Sequence, residues 1–93
     1  MNHQQILKEC YFKTSRSSGA GGQHVNKVET KVILHFNIKN SEALSQDEKE
    51  ILLIKLKNRI DKSGVLKINS QKSRSQLTNK KAAEKKLLHL LDL

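Results

Sequence analysis

Between Val28 and Ile38 the chain alternates. The even positions read Val28, Thr30, Val32, Leu34, Phe36 and Ile38, and the odd ones Glu29, Lys31, Ile33, His35 and Asn37. Strand side chains point to opposite faces in turn, so this near-strict period of two predicts a half-buried β-strand. Upstream, Cys10, Phe12 and Thr14 alternate with Glu9, Tyr11 and Lys13, which predicts an antiparallel partner joined to the first strand through the segment between them. Further on, Ser45-Gln46-Asp47-Glu48 has the form of a capping box, in which Ser45 and Glu48 satisfy each other's amides, and a helix is expected to start there. Leu52, Leu53, Leu56 and Ile60 recur at three and four residues and carry that helix toward Gly64, which suits a left-handed stop.

Val65 to Asn69 reads as a short third strand with Leu66 and Ile68 inward. A last helix is expected from near Ser75, with Ala83, Leu87, Leu90 and Leu91 on one stripe and Lys80, Lys81, Lys85 and Lys86 largely off it. The order is ββαβα. This predicts a small α+β domain, a mixed three-stranded sheet packed against helices, with the glycine-rich loop between strands one and two. There is no internal repeat, no linker and no proline, so residues 1–93 read as a single domain.

Charge changes the picture. The formal net charge is +9 and the isoelectric point about 9.9, which favours a polyanionic partner. Residues 1–40 carry six basic and two acidic side chains, residues 41–61 four and five, and residues 62–93 eight and two. Both ends are basic while the middle is not, and a middle helix packed on the far side would let the ends share one face. Tyr11, Phe12 and Phe36 are the only aromatics, and two of them fall on inward phases. No stacking platform for bases is expected, so RNA would be read through phosphate and shape. Cys10, the single cysteine, falls on the inward phase as a packing residue, and His3, His35 and His89 show no metal-ligand spacing. Neither a metal nor a cofactor is expected. No apolar run is long enough to span a membrane and the first residues lack the character of a signal peptide, so the cytoplasm is the default.

The chemistry concentrates in Ser18-Gly19-Ala20-Gly21-Gly22-Gln23-His24-Val25-Asn26-Lys27. Lacking a Cβ, Gly21 and Gly22 let the backbone approach a ligand closely and free the Gln23 amide to point outward. An aimed amide stabilises an oxyanion or binds phosphate, and a plain hairpin turn would also use glycines. A phosphate loop of the Gly-Lys-Ser/Thr kind fails on detail, because neither that sequence nor a helix follows Gln23.

Arg16 to Lys27 resembles the Gly-Gly-Gln (GGQ) region of class I peptide chain release factors, and Arg74-Ser75-Gln76-Leu77-Thr78-Asn79 looks like the downstream RSQxxN segment of the same domain. Lys27 after Asn26 is more like the short ribosome-rescue hydrolases of the ArfB (YaeJ) type. The resemblance implies codon-independent hydrolysis of the peptidyl-tRNA ester in the peptidyl-transferase centre of the large ribosomal subunit, by a monomer. Codon-reading release factors are several-fold longer, with a separate recognition domain for which 93 residues leave no room. Short rescue proteins continue into a basic tail, whereas this sequence closes on Leu90-Leu91-Asp92-Leu93, so either the tail belongs to a longer protein or this is a tail-less relative.

On that resemblance Gly21, Gly22 and Gln23 carry the catalysis, the Gln23 amide donating to the developing charge and its side chain placing the water. Arg16, Lys27, Arg74, Lys80 and Lys81 are the candidates for ribosomal RNA, while Gly19 and Asn26 brace the loop. His24 is a weaker candidate for a base, since a histidine beside a hairpin loop is more often a surface residue. Two competing readings remain: a non-catalytic basic module for rRNA or tRNA, and a protein-interaction domain docking through the leucine-rich last helix.

Overall fold

The computed structural model describes residues 2–15 and 30–92. In chain order the elements are α1 (His3–Glu9), β1 (Tyr11–Ser15), β2 (Lys31–Asn37), α2 (Gln46–Lys55), β3 (Val65–Ser70) and α3 (Gln76–Leu90). The sheet order is β1-β2-β3. The class is α+β, as the alternation and helix periods imply, with one helix more than expected.

The even phase of β2 is the core. Val32, Leu34, Phe36 and Ile38 are fully buried. Phe12 and Ile68 stand opposite Leu34 on the neighbouring strands, and Leu66 stands opposite Phe36. Ile6 of α1, Leu52 of α2 and Ala83 and Leu87 of α3 close over the same face in one cluster. The buried residues of all three helices therefore join the core on the even side of the sheet, while Ile51 and Ile54 of α2 and Leu77 of α3 stay exposed.

The sheet is antiparallel throughout, not mixed. β3 starts beside the residue at which β2 ends, with Val65 opposite Asn37, so the connection through α2 returns to the end it left and the strands must oppose. The capping box forms as expected: the Glu48 amide donates to Ser45 Oγ at 3.1 Å and the Ser45 amide to Glu48 Oε1 at 2.9 Å. α2 is shorter than its leucines suggest. It closes at Lys55, and Ile60 instead forms an isolated antiparallel bridge with Leu66.

Gly64 is left-handed, with φ +83°, but its turn opens β3 and does not cap α2. Its amide donates to the Asp61 carbonyl at 3.0 Å and its own carbonyl accepts from Ile38 at 2.9 Å. The Asp61 carboxylate accepts from the amides of Ser63 and Val65 and braces this turn. A Cβ at Gly64 would lie 2.5 Å from Lys39 Cγ, so both conformation and space call for glycine.

α1 is the unexpected helix. Asn2 caps it, accepting from the Gln5 amide, and Ile6 is its one buried residue. At its far end the Glu9 carboxylate accepts from Ser41 Oγ and from the Glu42 amide, which ties α1 to the β2–α2 loop. Burial works to raise the Glu9 carboxyl, but those hydrogen bonds and one from Gln5 outweigh it and hold the group below its ordinary value. A carboxyl depressed in the folded state adds stability that is present above its unfolded pKa and lost as pH falls through the folded one. Melting temperature is thus expected to drop on acidification below the usual carboxylate range. Glu9→Gln should flatten part of that slope, with Glu48 and Asp61, also held low, supplying more of it. Identical acid slopes for the variant and the parent would remove Glu9 from the response.

Candidate functional site

Gly19, Gly21, Gly22, Gln23, His24, Asn26, Lys27 and Arg16 lie outside the described residues, which resume at Thr30. The described part of the site is the frame from which that segment departs. Ser15 of β1 is paired with Lys31 of β2, so the two ends of segment 16–29 leave the same end of the sheet on neighbouring strands.

One side chain fastens that frame. Asn79, on the first turn of α3, is 1% exposed. Its Nδ2 donates to the Thr30 carbonyl at 2.7 Å and to the Ser73 carbonyl at 2.9 Å, while its Oδ1 accepts from the Ser73 amide at 3.0 Å. Three good hydrogen bonds satisfy a buried amide that would otherwise be costly. Ser75 caps α3, accepting from the Thr78 amide, and donates its own amide to Ser73 Oγ at 3.0 Å. The loop leading into α3, the start of α3 and the last residue before β2 are thus one hydrogen-bonded unit. The Arg74–Asn79 motif thus meets Thr30, the first described residue after segment 16–29.

In the sequence Asn79 stands inside the RSQxxN motif with no role of its own. A signal was available: Asn79, Ala83, Leu87 and Leu91 follow one another every four residues, and all four are buried. An asparagine in phase with a core stripe must be hydrogen-bonded, and so has a structural or functional partner to find. Its partner Thr30 lies 49 residues away, which no local pattern reveals.

The basic candidates divide. Arg74 and Lys81 are exposed. Lys80 is half-buried, with its ammonium 5.6 Å from the centre of the Phe12 ring, a cation–π contact that fixes α3 against β1. Along the other side of α3, Lys72, Lys85, Lys86 and His89 line an open cleft of about 640 Å³ whose floor is formed by Ala82, Ala83 and the end of β3. No acid lines it, so α3 presents a basic border on this side as well. Cys10 packs against the core and its thiol donates to the Ile6 carbonyl. Burial above all, then Glu84 and Glu9, push its pKa up to about 12, so it stays protonated and is no nucleophile at neutral pH. Among the described residues no cluster of three or more His, Cys, Asp or Glu could hold a metal ion, and no helix is long and apolar enough to cross a membrane.

A three-stranded α+β domain with a Gly-Gly-Gln sequence between its first two strands, and an RSQxxN turn bonded to the residue before the second, is the class these features define. The RF-1 domain family matches residues 4–93, and the chain belongs to that family. Peptidyl-tRNA hydrolase ArfB of Pseudomonas putida is 43% identical over 76 residues, covering 82% of this chain and 55% of the relative. Large ribosomal subunit protein mL62 of Mus musculus is 38% identical over 64 residues, 69% of this chain and 31% of the relative. Meiotically up-regulated gene 82 protein of Schizosaccharomyces pombe is 41% identical over 85 residues, 84% of this chain and 44% of the relative. The chain therefore spans between about a third and a little over half of these proteins' lengths.

Proposed function

We propose that this chain is a ribosome-associated hydrolase domain that cleaves the ester between nascent peptide and tRNA, on stalled ribosomes and without reading a codon. The observation that carries the reading is the Asn79 fastening of the Gly-Gly-Gln segment's foot, in a chain of the RF-1 family similar to a peptidyl-tRNA hydrolase. Water attacks the ester carbonyl, and negative charge grows on the carbonyl oxygen and then on the departing ribose oxygen. The Gln23 amide, freed by Gly21 and Gly22, donates to that charge, a contribution of roughly 3 to 4 kcal/mol. The Gln23 side chain, able both to donate and to accept, places the water. Ribosomal RNA and the tRNA ribose share the proton transfers.

Arg16, Lys27, Arg74, Lys80 and Lys81 contact ribosomal RNA phosphates, Lys80 from its place against the Phe12 ring. Gly19 and Asn26 brace the loop. The setting is cytoplasmic, the acting form a monomer, and the docking site the peptidyl-transferase centre of the large subunit. A second reading is a non-catalytic basic module for rRNA or tRNA, and the likeness to a large ribosomal subunit protein, mL62, fits its ribosomal setting. Release of peptide from purified ribosomes that carry peptidyl-tRNA and have no codon in the A site decides between them. Release is expected, rising when a flexible Lys/Arg-rich segment is appended and rising more on ribosomes with an empty mRNA channel than with a filled one. Stoichiometric binding without release, tail or no tail, would establish the second reading.

A further inference from the structure

The odd face of the sheet has no described helix over it. Tyr11, His35 and Lys67 form one row across the three strands, and Lys13, Ile33 and Asn69 form the next. Lys31 follows on β2, toward the Gly-Gly-Gln segment. Tyr11 is 50% exposed, and Lys13, Lys67 and Asn69 are also exposed. None of the three strands contains an aspartate or glutamate. Asp61 is the acid whose charge reaches His35, and its carboxylate is already engaged by the amides of its own turn.

At the centre is a stacked pair. The Tyr11 and His35 rings lie 4.6 Å apart and within 12° of parallel. His35 is 5% exposed, yet neither ring nitrogen has a hydrogen-bond partner. A buried polar group without a partner is costly, and a valine or isoleucine would fill a strand position here at no such expense. What the imidazole supplies, and an aliphatic side chain cannot, is a flat support that holds Tyr11 upright. Burial, then Lys13 and Lys67, keep the ring's pKa below its ordinary value against the opposing pull of Asp61, so the support is neutral at pH 7.

We propose that this face is an RNA-binding surface distinct from the Gly-Gly-Gln segment, with an unpaired base of single-stranded RNA stacking on Tyr11 and the adjoining phosphates held by Lys13, Lys31 and Lys67. The lysines alone would suit any anionic surface, but a supported, half-exposed ring beside them suits a base joined to phosphates. The choice of RNA over DNA rests on the ribosomal function proposed above. The sequence hides this surface, because aromatic counting finds one outward ring and cannot see that register sets His35 beside it.

Tyr11 is the only tyrosine and there is no tryptophan, so intrinsic fluorescence reports on this one site. Titration of the 93-residue chain with a short single-stranded oligouridine, free of ribosomes, is expected to give saturable quenching. With end-labelled oligouridine, Tyr11→Leu should weaken binding about 5- to 150-fold, while Tyr11→Phe, which keeps the ring, binds like the parent. Lys13→Gln with Lys67→Gln should weaken binding and reduce the slope of log affinity against log salt by about 1.4. Binding without quenching, an unchanged affinity in both the Leu and the double-lysine variants, or no binding at all would each overturn the proposal. Loss of binding to RNA-free ribosomal proteins in the Tyr11 variants, with oligouridine giving no quenching, would mean the face docks protein and would overturn it too. If Tyr11→Leu fails to fold, the quenching and the double-lysine slope still decide. Peptide release is a separate measurement, and its failure would sink the hydrolase reading while leaving the quenching result standing.

Discussion

Gly22→Ala is expected to slow peptide release on the ribosome by about 10²- to 10³-fold, the loss seen when one oxyanion donor is misdirected, at nearly unchanged ribosome binding. Gln23→Ala should slow it less. The first change adds a Cβ where the backbone must come close and turn its amide outward, whereas the second keeps that amide and removes only the side chain that places the water. Neither variant should melt much below the parent, because the described core, from Ile6 to Leu91, is complete without either residue. A fall in turnover at constant binding marks a transition-state contact. If both variants bind ribosomes less tightly and the bound fraction still releases peptide at the parent rate, the segment is a docking element and the hydrolase reading fails.

What the sequence makes legible is whatever depends on a repeat or on a local cap. The alternation through Val32, Leu34, Phe36 and Ile38 identifies β2 and its buried face, the capping box at Ser45 fixes where α2 begins, and the apolar stripe of the last helix places its start near Ser75. Elements decided by distant contacts are not legible. α1 spans seven residues with one buried position, too little for a period to emerge, and it is held by Glu9 reaching Ser41. Ile60 keeps the helical phase of Leu52 and Leu56 but is claimed by its bridge to Leu66, so α2 stops short. The expectation of a mixed sheet had no support in any pattern, since strand direction depends on where the chain re-enters. At the site, the glycines and Gln23 announce themselves by composition. Thr30, Ser73 and Asn79 are ordinary polar residues until the fold brings them together.

Asn79→Ala is expected to be the most damaging substitution in the described part of the site. It deprives the Thr30 carbonyl of a buried hydrogen bond and the Ser73 carbonyl and amide of part-buried ones, at a side chain that is 1% exposed. Losing a partner at a buried polar group costs about 1 to 3 kcal/mol, so a drop of roughly 3 to 5 kcal/mol is expected, a large part of a small domain's stability. Asn79→Asp should not rescue it, because a carboxylate would still accept from Ser73 but would face two carbonyls it cannot donate to. Stability alone does not separate a strut from a device that aims the Gly-Gly-Gln segment. Ser75→Ala provides the comparison: it removes the N-cap of the same helix, costs about 1 kcal/mol, and leaves the Thr30 bond in place. With both variants assayed well below their melting points, release per bound molecule should fall for Asn79→Ala and stay at the parent rate for Ser75→Ala. The foot of the segment is loose in one and fastened in the other. Equal release per bound molecule in the two variants would reduce Asn79 to a packing role and leave the aim of Gln23 to residues within the segment itself.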